Sequence, residues 1–158
     1  MTGQKPPRLD DFDRAILRII QKDNLTPLRM IGTQVHLSTA AVQRRIRRLK
    51  EEGVIVANVA IVNPDKVGRP ITIFMEVHTE RTQLDRYATL KEALSSGPGV
   101  QQCYFVTGDA DFVLMLNVAT MGEYEEWSRT FWDANKNVKW FRTIVVMDRV
   151  KVGLEVPV

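Results

Sequence analysis

Cysteine is almost missing from this chain: Cys103 is alone in 158 residues. No internal disulfide can form, and a reducing compartment is expected. No apolar run approaches the ~20 residues that span a bilayer, and no cationic start leads into an apolar stretch of the secretory kind. A cytoplasmic protein is therefore the expectation. Histidine is also scarce, with only His36 and His78. A general acid/base site wants a histidine or a tuned carboxylate pair in a pocket. Asp109, Asp111 and Asp148 are titratable, but no motif gives them or Cys103 a histidine partner, and no metal-ligand cluster is evident. No catalytic residue, metal or cofactor is therefore assigned, and an enzyme is not expected.

Charge is unevenly placed. Residues 1–62 carry 11 Lys and Arg against 6 Asp and Glu, whereas residues 63–158 carry 11 against 13. A basic front half suggests a polyanion partner, and a mildly acidic rear half suggests a different task. The cations concentrate in Leu37–Val54. Ser38 is a good N-cap, and Gly53 with Val54 reads as a left-handed helix stop closed by an apolar contact. Val42, Ile46 and Leu49 follow helical spacing and share one face. Ala40, Arg44, Arg47 and Arg48 point away from it, with Gln43 beside them. Charged helix faces are commonly no more than solvated surface. Here Thr39–Arg48 contains cations and no acid, and Glu51 and Glu52 come only at the end, where they oppose the helix dipole. Arginine suits phosphates and guanine edges, and glutamine can pair with adenine, so the imbalance favours nucleic acid. Arg45 flanks the buried stripe and suits an ion pair as readily as DNA.

Upstream, Asp10 reads as an N-cap with Asp11 and Asp13 in the first turn, and Phe12, Ile16, Ile19 and Ile20 give a helical stripe. Thr26-Pro27 reads as a second start, a cap followed by proline at the first helical position. Leu28, Ile31 and Val35 supply its inner face. Helix, short helix, turn and longer helix make a helix-turn-helix. Val54–Val62 is rich in valine and isoleucine and reads as a strand, the start of a wing or a link onward. Asn63-Pro64-Asp65 marks a boundary, giving expected domains 1–62 and 63–158.

The rear half alternates. Strands are predicted at Ile71–Thr79, Val100–Val106, Phe112–Val118 and Val138–Val150. A helix starting at Thr82 with Asp85 carries Leu84, Tyr87, Leu90 and Leu94. A second, boxed by Thr120 and Glu123, carries Tyr124, Trp127 and Phe131. The order βαββαβ is that of a ferredoxin-like sandwich, so the fold class is α+β. The last strand holds Trp140, Phe141, Ile144, Val145, Val146 and Met147, too many apolar residues for one buried face, which suggests a second face covered by another subunit.

These residues, taken together, resemble the Lrp/AsnC family of leucine- and asparagine-responsive regulators of bacteria and archaea. The similar pieces are Leu9–Leu17, Leu37-Ser38 with Val42–Leu49, Glu52–Ile55, Val106–Phe112 and Thr143–Lys151, in that order. The resemblance implies an N-terminal winged helix-turn-helix and a C-terminal ferredoxin-like domain that senses an amino acid and oligomerises. It implies a homodimer assembling to an octamer or similar disc, double-stranded DNA as partner, and a nucleoid-associated protein without a membrane. The DNA-facing residues would be Ser38, Thr39, Ala40, Gln43, Arg44, Arg47 and Arg48. The effector would lie between subunits near Thr107, Gly108, Asp109, Asp111 and Phe112. Peptide N–H groups around Gly108 could bind an α-carboxylate, and Asp109 or Asp111 an α-ammonium. A hairpin turn whose aspartates cap its own backbone accounts for the same residues. A ligand-independent, nucleoid-style DNA binder would need the same front half. Two positions depart from the family pattern: His36 stands where glycine is usual in the turn, and Ala110 where an aromatic is frequent.

Overall fold

The computed structural model describes residues 7–80 and 86–158. They form two compact units. One holds the described chain up to Ala60 together with Lys151–Val158; the other is Ile61–Val150.

The first unit contains α1 (Asp11–Ile20), α2 (Leu28–Val35) and α3 (Thr39–Glu51). Asp10 caps α1 in a reciprocal box with Asp13, and the Ser38 hydroxyl caps α3 by accepting from the Ala41 amide at 3.2 Å. At α2 the expected Thr26 cap is not made. The Thr26 hydroxyl donates back to Asp23 O at 2.8 Å, and Pro27 holds the cap position without a side-chain bond. The hydroxyl closes the preceding turn, while proline's fixed φ starts the helix unaided. Ile16, Ile31, Val35 and Val42 fill the centre, with Ile19, Leu28, Leu37 and Ile46 packed around them. Each such buried aliphatic side chain contributes about 1.5–3 kcal/mol.

The link from α2 to α3 is tight. A methyl group added at Gly32 would lie 2.5 Å from Leu37 O, so only glycine lets the two helices meet there. His36 ends α2 at φ 56°, ψ 42°. The residue that replaces the family's glycine thus adopts the left-handed conformation, at a steric cost of about 1–2 kcal/mol.

The final segment also belongs to this unit. Gln21 donates from Nε2 to Val156 O at 3.1 Å and accepts from the Val156 amide at 2.8 Å. Arg18 Nη1 donates to Val158 O at 2.7 Å. One side-chain amide offers this segment the donor and acceptor that a neighbouring strand would offer.

Val54–Val62, expected as a strand, is not one. Val56 is 91% and Ile61 87% exposed. Its β-branched residues favour extended backbone, but a strand needs a hydrogen-bonding neighbour, and among the described residues none pairs with it. Among the described residues there is therefore no wing strand.

The second unit opens with a 3₁₀ turn at Pro64–Val67. It continues as β1 (Ile71–Thr79), α4 (Arg86–Ser95), β2 (Val100–Phe105), β3 (Phe112–Val118), α5 (Met121–Ala134) and β4 (Val138–Val145). The sheet is antiparallel in order β2-β3-β1-β4, the predicted βαββαβ arrangement. Side chains alternate across it. Ile73, Met75, Val77, Phe112, Leu114 and Leu116 point to one side and are buried with Leu90 and Leu94 of α4 and Tyr124 and Phe131 of α5. Trp127 stacks with Phe131 at 5.6 Å between centroids. The expected start of α4, at Thr82 and Asp85 with Leu84, lies outside the described residues. At α5 the Thr120 hydroxyl accepts from the Glu123 amide at 3.1 Å. Glu123 reaches back to the Ala119 amide instead, at 2.8 Å, and to Arg69 at 2.9 Å.

β4 is shorter than predicted, ending at Val145 rather than Val150. The Val146 amide still donates to Thr72 O at 2.9 Å. The next ladder partner would be Pro70, which has no N–H to offer.

Both helices of this unit pack on the Ile73 side of the sheet, and among its described residues no helix covers the other side. Register places Phe74, Met115 and Ile144 in one row and Glu76, Val113 and Arg142 in the next. His78 stacks on Trp140 with ring centroids 3.5 Å apart. Glu76 accepts from Arg142 Nε at 2.7 Å. Phe74, Trp140 and Ile144 are exposed.

Candidate nucleic-acid interface and ligand turn

α3 carries Arg44, Arg45, Arg47 and Arg48, and the structure sorts them into two kinds. Asp13 on α1 is the cause. Its carboxylate is 1% exposed, 2.8 Å from Arg45 Nη1 and 2.5 Å from Arg48 Nη2. Asp10 adds a second carboxylate 2.8 Å from Arg45. A hydrogen bond from the Asp13 amide and the neighbouring Arg45 guanidinium hold the Asp10 carboxyl below its usual range. Asp10 and Asp13 in turn raise Arg45. Arg45 also lies over the Phe12 ring, 5.3 Å from its centroid. Arg45 thus takes the ion-pair role that its flanking position allowed.

Arg48 is a mixed case. It is bound to Asp13 and lies 3.8 Å from Glu52, yet its side chain stays 42% exposed. Arg44 and Arg47 differ from both. They are exposed, and among the described residues neither has an ion-pair or hydrogen-bond partner. Ser38, Thr39, Ala40 and Gln43 are exposed as well. Asp13 was legible in the sequence only as a first-turn acid. Its burial against two arginines more than thirty residues away is set by how α1 crosses α3.

The turn between β2 and β3 separates its residues in a similar way. The Val106 amide donates to Asp111 O at 2.9 Å and closes the turn. The Asp111 amide donates to Val77 O at 3.0 Å. The Asp111 carboxylate accepts from the Thr79 amide at 2.7 Å and from its hydroxyl at 2.8 Å. Asp111 therefore ties the turn to β1. Phe112 is fully buried in the core and anchors the turn from below. Thr107, Gly108 and Asp109 are exposed, and Ala110 is half-buried. Gly108 has φ 120° with nothing near where a side chain would stand, so backbone shape rather than space calls for glycine. Among the described residues no cluster of three or more His, Cys, Asp or Glu could hold a metal. No described helix is long and apolar enough to cross a membrane.

A three-helix module displaying unpaired arginines, joined to a ferredoxin-like sheet with an exposed Gly-Asp turn, defines a helix-turn-helix regulator with an attached sensing domain. Comparison with known proteins agrees. A family model for the AsnC-type helix-turn-helix domain matches residues 9–50, and one for the Lrp/AsnC ligand binding domain matches residues 72–156. An uncharacterized HTH-type transcriptional regulator of Sinorhizobium fredii, y4tD, is 43% identical over 150 residues, covering 95% of this chain and 89% of the relative. The crystal structure of an AsnC family transcriptional regulator from Agrobacterium tumefaciens superposes with a TM-score of 0.88 at 30% identity, over 94% of this chain and 97% of that one. A feast or famine regulatory protein of Mycobacterium tuberculosis, solved in complex with L-methionine, gives a TM-score of 0.82 at 28% identity, over 94% and 98%. The chain belongs to the Lrp/AsnC family of transcriptional regulators.

Proposed function

We propose that residues 1–62 of this regulator bind duplex DNA with α3 in the major groove, while residues 63–158 bind an amino-acid effector and assemble the protein. Ser38 and Thr39, at the N-terminus of α3, would meet a backbone phosphate. Ala40, Gln43, Arg44 and Arg47 would face base edges, and Arg48 would reach DNA with whatever charge Asp13 leaves it. The observation that carries this reading is the sorting of the arginines: among the described residues Arg44 and Arg47 have no acid to satisfy them, unlike Arg45 and Arg48. Gel-shift titration of Arg44→Ala and Arg47→Ala tests it. Each variant should lose about 1–3 kcal/mol of binding with an unchanged melting temperature, and should lower the salt slope by about one for each phosphate contact removed. Parent-like affinity at physiological salt would remove both residues from the interface.

The uncovered sheet face supports the assembly part of this reading. Phe74, Met115, Ile144 and Trp140 lie on it around one ion pair, and a second copy would bury them in a homodimer, the unit of a larger ring. A dimer would set two α3 helices ~34 Å apart on successive major-groove turns.

The effector reading rests on the exposed Thr107-Gly108-Asp109 backbone and on the methionine held by the M. tuberculosis relative. Gly108 amides would take the α-carboxylate and Asp109 the α-ammonium. Asp111 and Phe112 would shape the turn rather than touch the ligand. Calorimetry with each of the twenty amino acids tests this, and loss of the heat in Asp109→Asn would locate it. The protein then works in the cytoplasm at the nucleoid, as a regulator without catalysis.

A further inference from the structure

We propose that His36 is a contact to the DNA backbone whose strength follows pH; this rests on the DNA reading above and adds a residue to it. His36 ends α2 at φ 56°. Among the described residues every other positive φ belongs to a glycine: Gly53, Gly68, Gly99 and Gly108. Only at His36 does the described chain keep a side chain in the left-handed region. Strain held in this way clusters at functional sites. The fold itself does not use the ring. The imidazole is exposed and makes no hydrogen bond or ion pair among the described residues. The bond that closes α2 comes from the His36 backbone amide to Gly32 O, and a glycine would make it without strain. What histidine adds here is a ring turned outward at the corner between the two helices of the DNA-binding motif.

The surroundings of that corner favour an anion. Ser38, two residues on, caps α3, and the first turn of a helix offers amides and a positive dipole end. No Asp or Glu stands between Asp23 and Glu51. Of the neighbouring elements, α2 carries one charge, Arg29. α3 carries its four arginines, Lys50 and, at its far end, Glu51. α1 brings Asp11, Asp13, Arg14 and Arg18, and Asp13 is taken by Arg45 and Arg48. Asp10 is likewise held by Arg45. Lys151 and Glu155 belong to the segment whose Val156 is bonded to Gln21. A proton on the His36 ring is therefore answered by no acid of the described residues, and a phosphate is the group that answers it. Histidine is the side chain that ordinarily gains its charge between pH 5 and 8, and the chain's other one, His78, lies on the sheet. DNA phosphodiesters keep their charge across that range. The protonated ring donates a charge-assisted hydrogen bond to a phosphate oxygen and releases a counterion; the neutral ring donates only an ordinary one.

The test is fluorescence anisotropy of the full-length chain on a labelled duplex of mixed sequence, at about pH 6 and about pH 8 and over a range of salt. The panel is the parent, His36→Asn, which tolerates the left-handed backbone without a charge, His36→Gly, which removes the ring and the strain together, and His36→Arg, charged at both pH values. The parent should bind roughly tenfold more tightly at the lower pH, with a salt slope steeper by about one. His36→Asn and His36→Gly should each lose most of that gain. His36→Gly should do so while melting higher than the parent by circular dichroism, which separates loss of a contact from loss of the fold. His36→Arg should bind at the higher pH as the parent binds at the lower. A parent affinity unmoved by pH overturns the proposal, as does a gain kept in full by both His36→Asn and His36→Gly. The DNA reading fails by a different sign, parent-like binding of Arg44→Ala and Arg47→Ala on the same duplex at the higher pH. Weakened binding in those two variants beside an unchanged pH gain in the His36 variants leaves α3 in the groove and strikes His36 alone.

Discussion

The two units handle their charged groups in opposite ways. In the helical unit, Asp10 and Asp13 bind Arg45 and Arg48, and Arg44 and Arg47 have no acid among the described residues. In the sheet unit, Asp111 is consumed in holding a turn, while Asp109 and Asp148 have no hydrogen-bond or ion-pair partner among the described residues. In both, one buried or bonded charge fixes the frame while charged neighbours have no partner among the described residues. Net charge alone does not show which residues are free. Counting arginines on α3 gives four; counting those without an acid among the described residues gives two.

That contrast can be broken most severely at Asp13. Asp13→Asn leaves Arg45 and Arg48 without their shared carboxylate, and the helical unit should lose about 2–4 kcal/mol, read as a lower urea midpoint. Nonspecific DNA binding should become steeper in salt, because Arg48 loses its near carboxylate and keeps only Glu52 at 3.8 Å, while Arg45 keeps Asp10. Gly32→Ala comes next. The added methyl collides with Leu37 O, a backbone atom that cannot swing aside, and should cost about 1–3 kcal/mol in thermal unfolding, as for an overpacked core position. His36→Gly should work the other way, raising stability by roughly 0.5–1 kcal/mol by relieving the left-handed histidine. The smallest effect belongs to Asp10. Its folded pKa is depressed below 3.8, so its stabilising contribution is full above that value and fades as pH falls through the folded pKa. Asp10→Asn should therefore flatten the acid limb of a stability-against-pH curve below about pH 4, measured by circular dichroism.

Much of this was readable from the residues because it is local. The caps at Asp10 and Ser38, the stop at Gly53, the apolar spacing of Val42, Ile46 and Leu49, and the βαββαβ order all depend on neighbours within a turn or a strand. What escaped depends on distant chain. Val54–Val62 has strand propensity and no partner. β4 stops because of Pro70, nearly eighty residues earlier. Asp13 reads as a first-turn acid until α3 is laid across it. Gly32 carries no turn signal of its own, since its role is set by Leu37 O on the far side of the corner. The exposed turn at Gly108 was legible as a turn, but the division between Asp109 outside and Asp111 bonded to Thr79 was not.

The grip of Gln21 on Val156 has a practical consequence for dissecting this protein. The helical unit is not a contiguous stretch of sequence, since Lys151–Val158 belongs to it. An excised fragment ending at Ala60 is missing the strip that docks along α1, and a synthetic peptide of residues 151–158 should restore to it part of the melting temperature that the excision removes.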